Sequence, residues 1–386
     1  MILNNSFNKL KYLFFLIVII PYITYTYSAT IPMLYMSNVL LPIGIIFGFI
    51  LIKFRYKFDD YLLFLPFLLF IVLQAVLFDR ENLIEAIKYI LFFIVYAFLF
   101  KPHFRTKQIY KTYINFIVII SIFSLLLYFL NFFMDFSFFE IENITQFLSP
   151  KSALLTRDWG YQTPFYLFVN SFNQSDGLFG IPRLFGISHE PTAFAAFVMP
   201  SILLAYHLNK RYSAIILLTI LLIVSSYGAL LFFLIAVGVI YGHKYKIQVW
   251  ILFLFVILGL VYVMGSNSVR ITLYLNIFQN FLSQNIMLIN TFSFEPIITG
   301  EYGKSVDVPV VLKLAMKYGI IAMVLFLYII FVYILRIIKI KDKILLGFFV
   351  SFVLMLDKSQ LAFSPLFFFY LSYIDFSLYR KQLHEK

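Results

Sequence analysis

The chain has 386 residues, of which 62% are hydrophobic, 21% aromatic and only 12% charged, and its mean hydropathy is +0.94. A soluble domain carries about 25% charged residues, so this composition excludes a water-soluble protein and indicates an all-α integral membrane protein. The net charge of +12 does not predict nucleic-acid binding, because the basic residues are scattered between apolar runs. The absence of Cys from the sequence excludes disulfides and thiolate chemistry.

Apolar runs suited to membrane-spanning helices follow one another along residues 1–386, which we interpret as a single transmembrane domain. A bilayer core takes roughly 20 helical residues, and about twelve runs approach this length. The predicted spans cover residues 10–28, 33–52, 61–78, 83–100, 110–134, 191–208, 212–225, 228–242, 247–265, 310–335, 344–356 and 361–379. The first run resembles a signal peptide, but Tyr27 stands where a small residue is required before a cut after Ala29, so we expect an uncleaved anchor.

Lys and Arg near the ends of spans predict which side of the membrane each connection faces. Basic and non-basic connections alternate along this chain, so that most of the 30 basic residues lie in every second connection. The basic connections contain Lys9/Lys11, Lys53/Arg55/Lys57, Lys101/Arg105/Lys107/Lys111, Lys210/Arg211, Lys244/Lys246, Arg336/Lys339/Lys341/Lys343 and Arg380/Lys381/Lys386. The alternation predicts that both termini are cytoplasmic and that the number of spans is even.

The apolar stretch between Arg211 and Lys244 is predicted to cross the membrane and return, because both residues belong to the cytoplasmic side. About 31 helical residues reach roughly 46 Å, which is short of the roughly 60 Å that two full crossings need. We therefore expect two short helices, or a hairpin that stops partway, with a break at Ser225-Ser226-Tyr227-Gly228. The alternative is that one connection departs from the positive-inside rule.

Two long connections, residues 135–190 and 266–308, are both predicted to lie outside the cytoplasm. Both are rich in aromatic and apolar residues, which predicts short helices on the membrane surface. The first contains Arg157, Trp159 and Tyr161, and we consider these three residues candidates for contact with a glycan. Aromatic faces suit sugar rings, although anchoring at the level of the lipid headgroups also accounts for such residues.

The two long loops have similar polar ends. The first closes with Arg183 and then Glu190 before Pro191, whereas the second carries Arg270 near its start and closes with Asp307. An acid beside a Pro predicts a helix start, and a helix N-terminus favours anions. Arginine adds two parallel hydrogen bonds to phosphate oxygens. Two such ends side by side predict a pyrophosphate site.

Each of these residues also has a purely structural interpretation. Glu190 and Asp307 could complement helix dipoles, and the two arginines could anchor to headgroups. His189 could be a hydrogen-bonded loop residue. Lys317 lies four residues after Lys313 on one helix face; it could reach a phosphate or extend toward the membrane interface.

Several common catalytic motifs are missing from the sequence. It has no Gly-x4-Gly-Lys-Ser/Thr loop, which argues against ATP hydrolysis, and no HExxH, Asp-x-Asp or clustered metal ligands. We therefore expect neither a metal nor a cofactor.

Three short motifs resemble the O-antigen polymerase (Wzy) family. The segment Arg183-Leu-Phe-Gly-Ile-Ser-His-Glu-Pro191 is similar to that family's outer-loop end. The break at Ser225 resembles its Ser-Arg-Gly turn, and the segment from Asp307 to Gly319 resembles its closing pattern. The resemblance covers the span count, the two-loop layout and these motifs, mostly within 183–335. An Arg followed eleven positions later by Gly, known in some members, is absent.

The resemblance implies a metal-independent, inverting glycosyltransferase of the membrane C-type architecture, in the bacterial inner membrane with a periplasmic active site. Its implied substrate is an oligosaccharide linked to undecaprenyl pyrophosphate. The implied partners are membrane lipids and, in the same pathway, a chain-length regulator and a flippase. The competing interpretations are a flippase for lipid-linked oligosaccharide and an O-antigen ligase.

In that chemistry Arg183, Arg270 and Lys317 would bind the pyrophosphate. The acceptor hydroxyl needs a base, for which Glu190 is the first candidate, followed by Asp307 and then His189. The second loop has no His, where the related ligases use one. A carboxylate base is therefore favoured, although a carboxylate held beside cations has a low pKa and could instead orient the hydroxyl.

Overall fold

The computed structural model describes residues 62–78, 83–97, 101, 106–130, 133, 184, 186, 191–224, 227–241, 310–356 and 365–384. Regular structure in these residues is entirely helical, which confirms the all-α prediction for this part of the chain. The helices are α1 (Leu65–Phe78), α2 (Leu83–Val95), α3 (Lys107–Leu130), α4 (Pro191–His207), α5 (Arg211–Val224), α6 (Tyr227–Tyr241), α7 (Val310–Lys339), α8 (Lys343–Leu356) and α9 (Pro365–His384).

Each of these helices coincides with one predicted span. Among the described residues, α3 and the part of α7 from Tyr318 to Lys339 are long and apolar enough to cross a membrane, judged by length and composition. The other apolar helices are shorter. The predicted spans 10–28, 33–52 and 247–265, like most of the long loop 135–190 and all of the loop 266–308, lie outside the described residues.

The break predicted over residues 225–228 is confirmed in part: two separate helices are present, but Tyr227 and Gly228 belong to the second of them. Helix α5 ends at Val224 and α6 begins at Tyr227. With 14 and 15 residues respectively, each helix is about 21–23 Å long, which is less than the roughly 30 Å of a bilayer core. The arithmetic of length therefore predicted two short helices correctly.

The chain divides into two compact units. Unit 1 contains residues 1–57, 89–226 and 358–386, and unit 2 contains residues 58–88 and 227–357. In unit 1, α4 is packed by α3 and α5, and every side chain from Phe194 to Ala205 is buried. Because this helix is apolar on all sides, it can serve as the centre of a helical bundle.

Unit 2 is built from α1, α6, α7 and α8. Phe64 lies 6.4 Å from Tyr333 and Phe67 lies 6.2 Å from Phe326, measured between ring centroids, so α1 runs antiparallel to α7. The start of α1 therefore lies beside the later part of α7. Helices α6 and α8 approach closely at Gly347, where an added Cβ would overlap the side chain of Ile240.

Large apolar side chains also remain exposed on the two candidate spans. On α3, Ile119 is 54% and Phe123 is 53% exposed, and on α7, Phe331 is 55% exposed. An apolar face of this extent is unfavourable in water but favourable in a hydrocarbon environment. These faces support a membrane location for both helices.

Gly319 interrupts α7 with a backbone conformation that other residues rarely adopt. Its φ of 84° and ψ of 168° belong to a region populated almost only by glycine, and the helix is kinked there. An added Cβ would meet no atom within 4 Å. We expect Gly319→Ala to lower the free energy of unfolding by about 1–3 kcal/mol, through backbone strain alone. Thermal unfolding in detergent would measure this loss, and an unchanged unfolding temperature would contradict it.

Candidate functional site

The site residues predicted from the sequence lie almost entirely outside the described part of the chain. Those outside it are Arg157, Trp159, Tyr161, Arg183, His189, Glu190, Arg270 and Asp307. The backbone of Lys317 is helical and lies two residues before the kink at Gly319. The juxtaposition of the two loop ends around a pyrophosphate therefore stays a prediction.

Two residues near the end of the first long loop are described, Leu184 and Gly186, and Gly186 lies against α4. The side chain of Leu184 is completely buried. Gly186 has a φ of 67°, and a Cβ there would lie 2.7 Å from ring carbons of Phe194, closer than the 3.0 Å below which real Cβ atoms essentially never approach. The ring of Phe194 is itself buried. Glycine at position 186 thus lets the backbone lie directly against α4, three residues after Arg183.

Both predicted helix starts are confirmed. Helix α4 begins at Pro191, directly after Glu190, and α7 begins at Val310, directly after Pro309. Proline is favoured at the first helical position because its missing N–H would have no partner there. The first turn of each helix leaves backbone N–H groups without helical acceptors. Such groups are suited to binding an anion.

Unit 1 also contains a buried polar cluster centred on α9, and hydropathy did not predict it. The hydroxyl of Tyr370 lies 2.6 Å from that of Tyr113 on α3, and Ser372 lies 3.1 Å from the hydroxyl of Tyr110. Ser201 of α4 donates a 3.4 Å hydrogen bond to Tyr113. These bonds satisfy polar groups that would be unfavourable in an apolar interior.

The same cluster extends toward the C-terminal end of α9. Tyr373 is hydrogen-bonded to Nδ1 of His207, and Asp375 accepts a hydrogen bond from Tyr96. The ammonium group of Lys101 lies 3.6 Å from the Asp375 carboxylate. An acid that is mostly buried requires such compensation. Asp375 falls in the predicted span 361–379, and a charged residue inside a span is the sequence signal that could have revealed this cluster.

Basic residues from several chain segments meet at this end of unit 1. Nζ of Lys210, in the connection between α4 and α5, donates to the backbone oxygen of Lys111 at 3.4 Å and to the side chain of Asn115. Lys107 lies within electrostatic range of Lys111 and Arg380. Burial, and then the positive charge of Lys111, hold the pKa of Lys210 below its usual value. Which side of a membrane these connections face stays a prediction.

In the described part of the chain, neither metal ligands nor similarity to known proteins identifies a function. Within the described ranges, no group of three or more His, Cys, Asp or Glu residues could hold a metal ion. Comparisons with protein-family models, curated proteins and solved structures found no match.

Proposed function

We propose that the chain is a membrane glycosyltransferase that polymerises oligosaccharide repeat units carried on undecaprenyl pyrophosphate. The observation that carries this proposal is the close approach of Gly186, near the end of the first long loop, to Phe194 of α4. It holds the backbone beside Arg183 close to the start of a helix. A cationic side chain and free backbone N–H groups near one point are the components of a pyrophosphate site.

The proposed architecture has about twelve spans, in the C-type arrangement of membrane glycosyltransferases. Residues 135–190 and 266–308 would form the periplasmic face, with both termini in the cytoplasm of a bacterial cell. The coincidence of every described helix with a predicted span supports this arrangement. So does the meeting of basic residues from separate connections at one end of unit 1.

The proposed reaction transfers the growing glycan to a new lipid-linked unit. A hydroxyl at the non-reducing end of the acceptor attacks the anomeric carbon of the donor with inversion, and the bond from that carbon to the pyrophosphate breaks. Arg183, Arg270 and Lys317 stabilise the negative charge that develops on the leaving group. Glu190 or, in second place, Asp307 accepts the hydroxyl proton, with His189 as a further candidate. Arg157, Trp159 and Tyr161 are assigned to glycan contact.

A second candidate function is a flippase for lipid-linked oligosaccharide. The observation that favours it is the buried polar cluster on α9, because transporters need polar groups inside the membrane. Most groups of this cluster are already hydrogen-bonded to one another, for example Tyr113 to Tyr370. Such pairing suits a structural role better than a substrate path, and we therefore favour the enzyme.

Purified protein incubated in liposomes with a lipid-linked repeat unit would test the proposal. Products resolved by size are expected to form a ladder of increasing glycan length, without added metal or nucleotide. A single addition to a lipid A core would instead identify an O-antigen ligase. Movement of the lipid-linked unit across the bilayer without a covalent product would identify a flippase. Either of these outcomes would overturn the polymerase proposal.

A further inference from the structure

One face of unit 1 combines a pair of lysines with an exposed apolar surface. Lys210 reaches Lys111 and Asn115 of α3, so the start of α5 is joined to the first turns of α3. These bonds use two of the three N–H donors of the Lys210 ammonium group. Lys111 and Lys210 are both half-buried. The Lys210 ammonium group thus contacts the backbone of Lys111 and lies within electrostatic range of the Lys111 charge, so two cationic residues are near each other in unit 1.

Among the described residues of unit 1, basic side chains outnumber acidic ones, and the acid present is Asp375. Lys107 and Arg380 add to the charge of Lys111. The acid on α9 that lies closest in sequence to Arg380 is Asp375, which is paired with Lys101 at 3.6 Å. Like charges held close together repel one another, and an anion placed among them removes this repulsion. The electrostatics therefore favours a bound anion.

Each of the two helices, α3 and α5, carries exposed apolar residues on the side of the chain that follows the lysine pair. Asn115 starts an exposed stripe on α3 that continues through Ile119 and Leu126, which are 54% and 52% exposed. On α5, Ile215 and Leu222 are 61% and 50% exposed. Residues at these spacings share one helix face. The surface has the length and chemistry required to contact an acyl chain.

An exposed aromatic residue marks the boundary between the two surfaces. Tyr212, in the first turn of α5, is 85% exposed and lies beside Arg211. Tyrosine is enriched at the headgroup level of membranes, where its ring contacts apolar chains and its hydroxyl contacts water. With Tyr212 at the headgroup level, the adjacent lysine pair would lie at headgroup depth and the exposed residues of α3 and α5 would lie in the hydrocarbon.

We propose that this face binds an anionic phospholipid, with its phosphate between Lys111 and Lys210 and an acyl chain along α3 and α5. A zwitterionic lipid would bring its own ammonium group into an already positive environment. Free phosphate has no acyl chain, so the apolar stripe would not stabilise its binding. The site depends on a membrane location for α3 and α5 but not on the proposed enzymatic activity, because none of the catalytic candidates belongs to it.

Native mass spectrometry of the full chain, released from vesicles containing equal amounts of phosphatidylglycerol and phosphatidylethanolamine, would test the proposal. Wild-type protein should retain phosphatidylglycerol preferentially. Lys111→Gln and Lys210→Gln should each reduce that retention by about fivefold. Lys339→Gln is the matched control, because Lys339 is an exposed lysine at the end of α7 in unit 2; its retention should not change.

Two further measurements separate lipid binding from a structural role of Lys210 and from the binding of a free anion. Lys210→Arg keeps the charge and should keep the retention, so an equal loss in Lys210→Arg and Lys210→Gln would indicate a structural role and overturn the proposal. Millimolar inorganic phosphate should not displace the lipid, because it has no acyl chain. Complete displacement by phosphate, or equal retention of both lipids by the wild-type protein, would also overturn it.

Discussion

Replacing Arg183 with Ala is expected to abolish glycan lengthening while the protein is still produced and inserted normally. The guanidinium group would donate two parallel hydrogen bonds to the departing pyrophosphate, whose negative charge increases as the glycosidic bond breaks. Loss of one such donor reduces turnover by about 10²–10³-fold. The measurement is the rate of ladder formation from a lipid-linked repeat unit, with protein quantity determined in the same membranes.

Two further variants test whether the loss of activity is specific to the guanidinium group of Arg183. Arg183→Lys keeps the positive charge but loses the planar pair of donors, so it should recover only a small part of the activity. Arg211→Ala is the matched control, because Arg211 is an exposed arginine at the start of α5 and is predicted to lie on the opposite side of the membrane. It should form the normal ladder. Long glycans made by Arg183→Ala would eliminate Arg183 as a pyrophosphate ligand.

Replacing Gly186 with Ala is expected to detach the end of the first long loop from α4 and thereby reduce activity strongly. Two costs combine at this position. A φ of 67° disfavours any residue with a Cβ, and the new methyl group would lie 2.7 Å from the buried ring of Phe194. Together they should cost about 2–5 kcal/mol. Thermal unfolding and ladder formation, measured on the same preparation, would report both effects.

Gly319→Ala provides the matched control for this substitution. Gly319 also has a positive φ, but an added Cβ would meet no atom within 4 Å, so its substitution reports backbone strain without a new contact. The double variant Gly186→Ala, Phe194→Leu removes the ring and should recover part of the lost stability. If Gly186→Ala destabilises the Phe194→Leu variant as much as it destabilises the wild-type protein, the close approach to Phe194 is not important.

The positions of the helices could be predicted from apolar runs and from a few residues that mark helix ends. Pro191 predicted the start of α4, and two adjacent serines, Ser225 and Ser226, predicted the break between α5 and α6. The kink at Gly319 was not predicted, because the residue lies inside the predicted span 310–335. Glycine alone does not reveal whether a helix continues through it or bends.

The buried polar cluster of unit 1 could not be predicted from hydropathy either. Tyr113 and Tyr370 are separated by 257 positions along the chain, and each lies in an otherwise apolar run. Their hydroxyls count little in a hydropathy average, although inside an apolar bundle each of them needs a partner. The pairing of Asp375 with Lys101 and Tyr96 depends in the same way on which faces of distant helices meet.

For the described residues, the sequence by itself therefore determined the all-helical class and the approximate bounds of the helices. These properties follow from local composition, because the need to satisfy backbone hydrogen bonds and to avoid charge in hydrocarbon acts on each segment separately. Only the tertiary structure decided that α4 is surrounded while α3 keeps an exposed apolar face, and that Lys210 meets Lys111. Such contacts arise from side-chain packing between segments, and the sequence of one segment does not specify which other segments pack against it.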